Sequence, residues 1–519
     1  MANHYDAVIV GSGTGALVAA AILARRTWRV LLVGQGRKPP TYHHEGLVFA
    51  RRTFAFGIGA TASWANVLGE LAERNGWKRR VATPKAAVQF VTGDVRLDLS
   101  GDDTRFLRDL ERAYGAEATG AFASVRAVEE VGLELDTLVS GDPAFLPSTK
   151  KDERDAERRL AGAFASAAPA AHRPWGSASL RRAMEVYVSF ASHLRSQVPP
   201  VAFLRLAAAV RQGTVEVQGG EAGLVDFLVE RARAHGADVK LDAKLVEVVH
   251  ERGRVTKVIL DDGTAPAGAD YVVTDLGARE LALHASSVDP DAVRELPVLH
   301  PTSFRAVVNV VLRREAVPVP LGTDAFLLPN ERKDARAASP VDTRVPDVRV
   351  QRVPAPAQVS GSDDGVTLAV ELLASDARDA PVTSANVRDR ALEAVVRTFP
   401  FAARHVLAVD SPHDGKPLWD YRNGTRVLVE RALLQKGGAT KSTEPRAIRF
   451  ETDRTWFHGL AVDAVPGAFK NAFHVGRSVL PTLGTEGEVL AALAALRILR
   501  GLEPKKESIG ADFRRKVAW

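Results

Sequence analysis

Gly11, Gly13 and Ala16 are spaced G-x-G-x-x-A near the start of the chain. That spacing suits one kind of chemistry, the holding of a pyrophosphate. The first glycine lets the backbone leave a strand in a tight turn. The second lets phosphate approach the backbone where a side chain would block it, and the small third residue keeps the following helix close to the sheet. The helix start then offers unpaired N–H groups and the positive end of its dipole. Thr14 and Gly15 lie in the same turn and complete the candidate cradle. The elements that must position it can be read alongside. Residues 5–10 form an apolar strand, 17–26 an Ala-rich helix and 29–33 a second apolar strand. Strand, glycine turn, helix and strand make one βαβ unit of a parallel sheet covered on both faces.

The second strand should end in an acid that holds the ribose hydroxyls. It ends instead in Gly34-Gln35, followed by Arg37 and Lys38. Gln35 is the candidate ribose ligand, as a weaker partner than a carboxylate. The turn alone leaves three readings open: FAD with a weakened ribose clamp, NADP with its extra phosphate on the basic residues, or a cradle that binds nothing.

The chain has 519 residues, 46% of them apolar and 25% charged, which fits a globular protein of two or three domains. It has no Cys, which excludes a disulfide framework, thiolate metal sites and any cofactor tethered through sulfur. The net charge of +6 comes without a block of roughly five or six like charges, so nucleic acid is not expected as a partner. The longest fully apolar run, 16–24, is far short of the ~20 residues that cross a bilayer. No targeting segment is visible, and a cytoplasmic location is expected, with peripheral membrane contact left open.

Further along, 102–211 reads as helical, and Gly219-Gly220 precedes an amphipathic helix over 222–234. Strands are expected over 244–250, 255–260, 271–274, 303–312 and 366–373, and a Pro-rich loop over 334–364. The last organised piece is a strand over 472–475, a turn through Gly476, Pro481, Gly484 and Gly487, and a helix over 489–499. A charged tail follows, with 511–519 as its end.

Three blocks together resemble the phytoene-desaturase-like branch of the FAD-dependent amine oxidoreductases. They are the N-terminal βαβ unit, the run from Gly219-Gly220-Glu221 through Val246-Glu247-Val248 to Ala269-Asp270-Tyr271, and Asn471-Ala472-Phe473-His474-Val475-Gly476 with its glycines. The resemblance implies a Rossmann-like FAD/NAD(P)-binding domain interleaved with an α+β substrate domain. The first would be assembled from 1–100, 213–285 and 455–510, the second from 101–212 and 286–454. It places Val246 near the adenine, and Gly476, Arg477, Gly484 and Glu486 around the rest of the cofactor. It further implies hydride transfer from a hydrophobic, isoprenoid- or carotenoid-like substrate to FAD. The family's ribose-binding Glu falls on Gly34, and the Asp of its C-terminal Gly-Asp falls on Arg477. Its Gly-Gly-Arg stretch is replaced by Pro39-Pro40-Thr41-Tyr42-His43-His44. These departures motivate the competing expectation, a cofactor-poor or cofactor-free descendant acting as a binding or scaffold protein.

Other constellations read as structural. His43-His44-Glu45 lacks the spacing that converges on a metal ion, and the pair His413-Asp414 and His458 are lone cases. Trp456-Phe457 suits core packing, and Glu486 also suits a carboxylate at a helix start. The sequence leaves oligomeric state, substrate and catalytic residues unassigned.

Overall fold

The computed structural model describes residues 3–504, apart from 94, 142–144, 148, 174, 196–197, 286, 288–289, 330–345, 355–364 and 441–442. Its first sheet is built on the glycine turn. Strand His4–Val10 pairs in parallel with Val30–Val33 on one side and with Ala267–Thr274 on the other. Asp238–Lys240 and Ala472–His474 extend the parallel array at its two flanks. The hairpin Leu245–Glu251/Arg254–Leu260 adds antiparallel strands beyond Ala267–Thr274. Val8, Ile9, Leu32 and Val272 are fully buried, as strands covered on both faces require. Helices Thr14–Arg25, Gly220–Ala234 and Gly484–Leu502 pack together against the sheet.

The second sheet is mostly antiparallel and centres on Leu299–Arg313, which pairs with Gly365–Ala374, Val406–Asp410 and Ala447–Thr452. Gln89–Thr92 joins it by a parallel pairing with Asp324–Leu328, so part of the first hundred residues lies in this sheet. Among the described residues, five α-helices between Asp103 and Gln212 pack on one another, as the helical reading of that stretch expects.

Two local readings are corrected. The stretch 334–364 is not loop throughout: Val348–Arg352 is a strand between Asp324–Leu328 and Gly365–Ala374, and the rest of that stretch falls largely outside the described residues. The residues after Pro40, left without structure by the sequence reading, form the hairpin Thr41–His44/Leu47–Ala50. Buried Asn309 ties this hairpin to the second sheet. Its amide oxygen accepts from Ala50 N at 2.7 Å and its amide nitrogen donates to Ala50 O at 2.9 Å, copying a backbone pairing. The tail 511–519 lies outside the described residues.

Candidate functional site

The cradle forms where the sequence places it, at the carboxyl ends of the parallel strands. Gly11 takes φ +128, a conformation open to glycine. Gly13 is the N-cap of helix Thr14–Arg25 with no side-chain cap, so the first N–H groups of the helix depend on an outside acceptor. Gly15 packs on the Val475 carbonyl and Ala16 is fully buried, which brings the first and last cofactor-type segments together.

An acceptor for the N-cap N–H is already present. Val10 and Thr274 are opposite in register, so the chain continuing from Thr274 arrives beside Gly11. That continuation is Asp275. Its Oδ2 accepts the Gly13 N–H at 2.7 Å, and the Ser12 N–H also donates to it. A side chain at Gly11 would run into the same carboxylate. A methyl on Gly13 would lie 3.0 Å from Asp275 Oδ2 and 3.1 Å from Glu488 Oε2, so two carboxylates close the space over the turn. Burial pushes the Asp275 carboxyl up to about 6, and the Glu488 charge adds to this against the opposing pull of the Gly13 and Ser12 N–H groups and Arg477. His193 Nε2 stands 3.7 Å from Glu488 Oε1. Burial, with Arg305 and Arg477 nearby, brings that imidazole down to about 4.

The ribose side is closed as well. A Cβ at Gly34 would lie 2.5 Å from the Leu241 carbonyl oxygen, so the position has no room for the missing acid. Gly34 N donates to Lys240 O at 2.9 Å and Arg37 N to Leu241 O at 3.1 Å, which holds the 240–243 segment against it. Gln35, at φ +57, spends its side-chain oxygen on Leu245 N at 2.7 Å. Arg37 donates to Ser12 O at 2.6 Å and pairs with Glu221, which also takes Arg52 at 2.5 Å. These bonds remove Arg37 from the role of a 2′-phosphate ligand, and the NADP reading has no support.

The other expected residues divide. Gly476 packs directly on the Asp275 backbone and Arg477 is exposed beside the cradle, so these two share its neighbourhood. Gly484, at φ +56, opens the last helix against the Ala191 carbonyl. Glu486 is 1% exposed and faces inward, accepting from Ser63 Oγ at 2.9 Å and pairing with Arg205, which also reaches Asp136 at 2.9 Å. It is part of a buried ion pair rather than a cofactor contact. Val246 is half exposed, and its carbonyl accepts from the His284 ring at 3.2 Å. Among the described residues no cluster of His, Asp or Glu could hold a metal ion. The His458 ring packs at a tilt against Phe164, and Trp456 Nε1 donates to Val462 O at 3.0 Å. The sequence reading missed Asp275, Glu488 and His193. One signal for Asp275 was available: it directly follows a parallel-type strand, at the strand end where such sheets bind ligands.

The residues present therefore do not fit a dinucleotide pyrophosphate. Its oxygens would compete with Asp275 for the Ser12 and Gly13 N–H groups, and its charge would meet those of Asp275 and Glu488.

No family model matches the sequence, and no curated protein matches it. Solved structures do. An oxidoreductase from Methanosarcina mazei is similar at 15% identity and a TM-score of 0.52, over 94% of this chain and 99% of that one. A putrescine oxidase redesigned in its cofactor binding is similar at 15% identity and a TM-score of 0.50, over 99% of each chain. At this identity the likeness is one of fold. The chain shares a mixed α/β, Rossmann-like fold with these solved oxidoreductases along nearly its whole length.

Proposed function

We propose that this chain uses a flavin-dependent oxidoreductase fold without the flavin, as a binding or scaffold protein. One observation carries the reading: the Asp275 carboxylate accepts the Gly13 N–H at 2.7 Å, in the position a cofactor phosphate takes in a cradle of this spacing. At neutral pH that carboxyl, at about 6, is mostly ionised. A dinucleotide would have to expel it and stand beside Glu488.

A second reading keeps FAD and an oxidoreductase acting on an isoprenoid-like substrate, in the manner of the phytoene-desaturase-like branch. It is favoured by the close packing of Gly15 on Val475 and of Gly476 on Asp275, which preserves the backbone frame around the cradle. Thermal unfolding with and without millimolar FAD at neutral pH tests the choice, because even weak binding to the folded state stabilises it by RT ln(1 + [L]/Kd). The first reading expects an unchanged midpoint. A rise that saturates with FAD supports the second and overturns the first.

A further inference from the structure

Away from the cradle, Ser303 and Arg449 face each other across the antiparallel pair Leu299–Arg313/Ala447–Thr452, beside a register shift between Pro301 and Ser303. Both are buried, at 8% and 4% exposure. Arg449 Nη2 donates to Leu194 O at 2.6 Å. Its Nε and the Ser303 hydroxyl have no hydrogen-bond partner among the described residues. A buried donor left unpaired is costly, so a pair of them on one wall calls for an acceptor. Both line a cavity of about 370 Å³ that is also bounded by Arg195, Arg378, Asp379 and an apolar side including Pro381 and Val382. Arg195 and Arg449 also line a second cavity, of about 470 Å³, which includes Val198 and Phe203.

The charge around the site is unbalanced. Burial makes the Arg449 guanidinium easier to deprotonate, bringing it down to about 10, and the Arg305 and Arg195 charges push the same way against Glu371 alone. Glu371 is itself shared between Arg305 at 3.6 Å and Arg349 at 3.3 Å. Arg195 stands 3.8 Å from Glu451, and both are about half exposed, which screens that pair.

We propose that the cavity behind Ser303 and Arg449 binds the carboxylate of a small amphipathic acid, with Arg195 at its mouth and the apolar chain along Pro381 and Val382. Two unpaired donors match the two oxygens of a carboxylate. The surplus guanidinium charge favours an anion, and the apolar wall favours a hydrocarbon chain over a bare ion. None of these residues belongs to the cradle, so the site stands or falls separately from the reading of Asp275.

Calorimetric titration of the full chain tests it with octanoate, octanol and inorganic phosphate as probes. Saturable octanoate binding is expected, with octanol and phosphate each at least about tenfold weaker. Ser303→Ala and Arg195→Ala should each weaken octanoate several-fold. Arg449→Lys, which keeps the charge and removes Nε, should do the same where Arg449→Ala fails to fold. Octanol binding as tightly as octanoate, phosphate binding as tightly, or unchanged octanoate affinity in both Ser303→Ala and Arg195→Ala would each overturn the proposal.

Discussion

At the scale of single residues, Asp275 ties the cradle to pH. Its carboxyl moves from 3.8 to about 6 on folding, mainly through burial. The folded chain therefore holds a proton that the unfolded chain releases within that interval. Stability from this group is greatest below the interval, falls as pH rises through it, and is level above it. The shift corresponds to on the order of 2 kcal/mol once partial exposure is allowed for. Asn at this position cannot ionise. Asp275→Asn should match the parent near pH 4 and exceed it by about 1–2 kcal/mol near pH 8 in urea unfolding. Parallel profiles for the two proteins would contradict an ionised Asp275 in the cradle. Gly11 and Gly13 were legible from spacing alone because a phosphate-type turn is a local object. Asp275 was legible only as the residue that follows the strand over 271–274, because nothing in the sequence says that this strand lies beside the glycine turn. That follows only from the Val10–Thr274 register.

At the scale of elements, the helix Gly484–Leu502 and the glycine turn lock together through backbone. A Cβ on Gly15 would meet the Val475 carbonyl and lie 2.7 Å from the Glu488 carbonyl, neither of which can swing aside. Gly15→Ala should therefore destabilise by about 1–3 kcal/mol, as overpacking does. Gly162, in the helix Lys150–Ala171 with open space around its Cβ position, makes the control. Gly162→Ala should stabilise by up to about 1 kcal/mol in the same unfolding experiment. Equal effects at the two sites would refute the packing account. The same last helix carries Glu486 into the helical layer, where Arg205 and Ser63 need it. Glu486→Ala should cost about 3 kcal/mol by leaving Arg205 short of a partner, and Glu486→Gln less, since it can still accept from Ser63. The helix itself was legible from its apolar periodicity. The inward course of Glu486 was not, because its partners come from distant helices. The hairpin Thr41–Ala50 was hidden for a similar reason: much of what holds it lies in Asn309, far along the chain.

At the scale of the whole molecule, the fold and the site point in different directions. The interleaved order of strands and the likeness to solved oxidoreductases over nearly the full chain describe a shared Rossmann-like frame. That frame was legible, since βαβ patterning and the two terminal glycine turns survive in the sequence. Within it, Asp275 and Glu488 supply negative charge where a pyrophosphate would bring its own, and the exposed Arg477 stands where the resemblance leads one to expect an acid. The 240–243 segment closes the ribose side. Among the described residues no helix is long and apolar enough to cross a membrane. The most direct test of the central claim is the visible absorption spectrum of the purified full chain at neutral pH, before and after addition of excess FAD and removal of the unbound portion. A self-occupied cradle predicts no flavin band in either sample. A retained band approaching one FAD per chain would show that Asp275 yields the cradle to the cofactor, and would contradict the account.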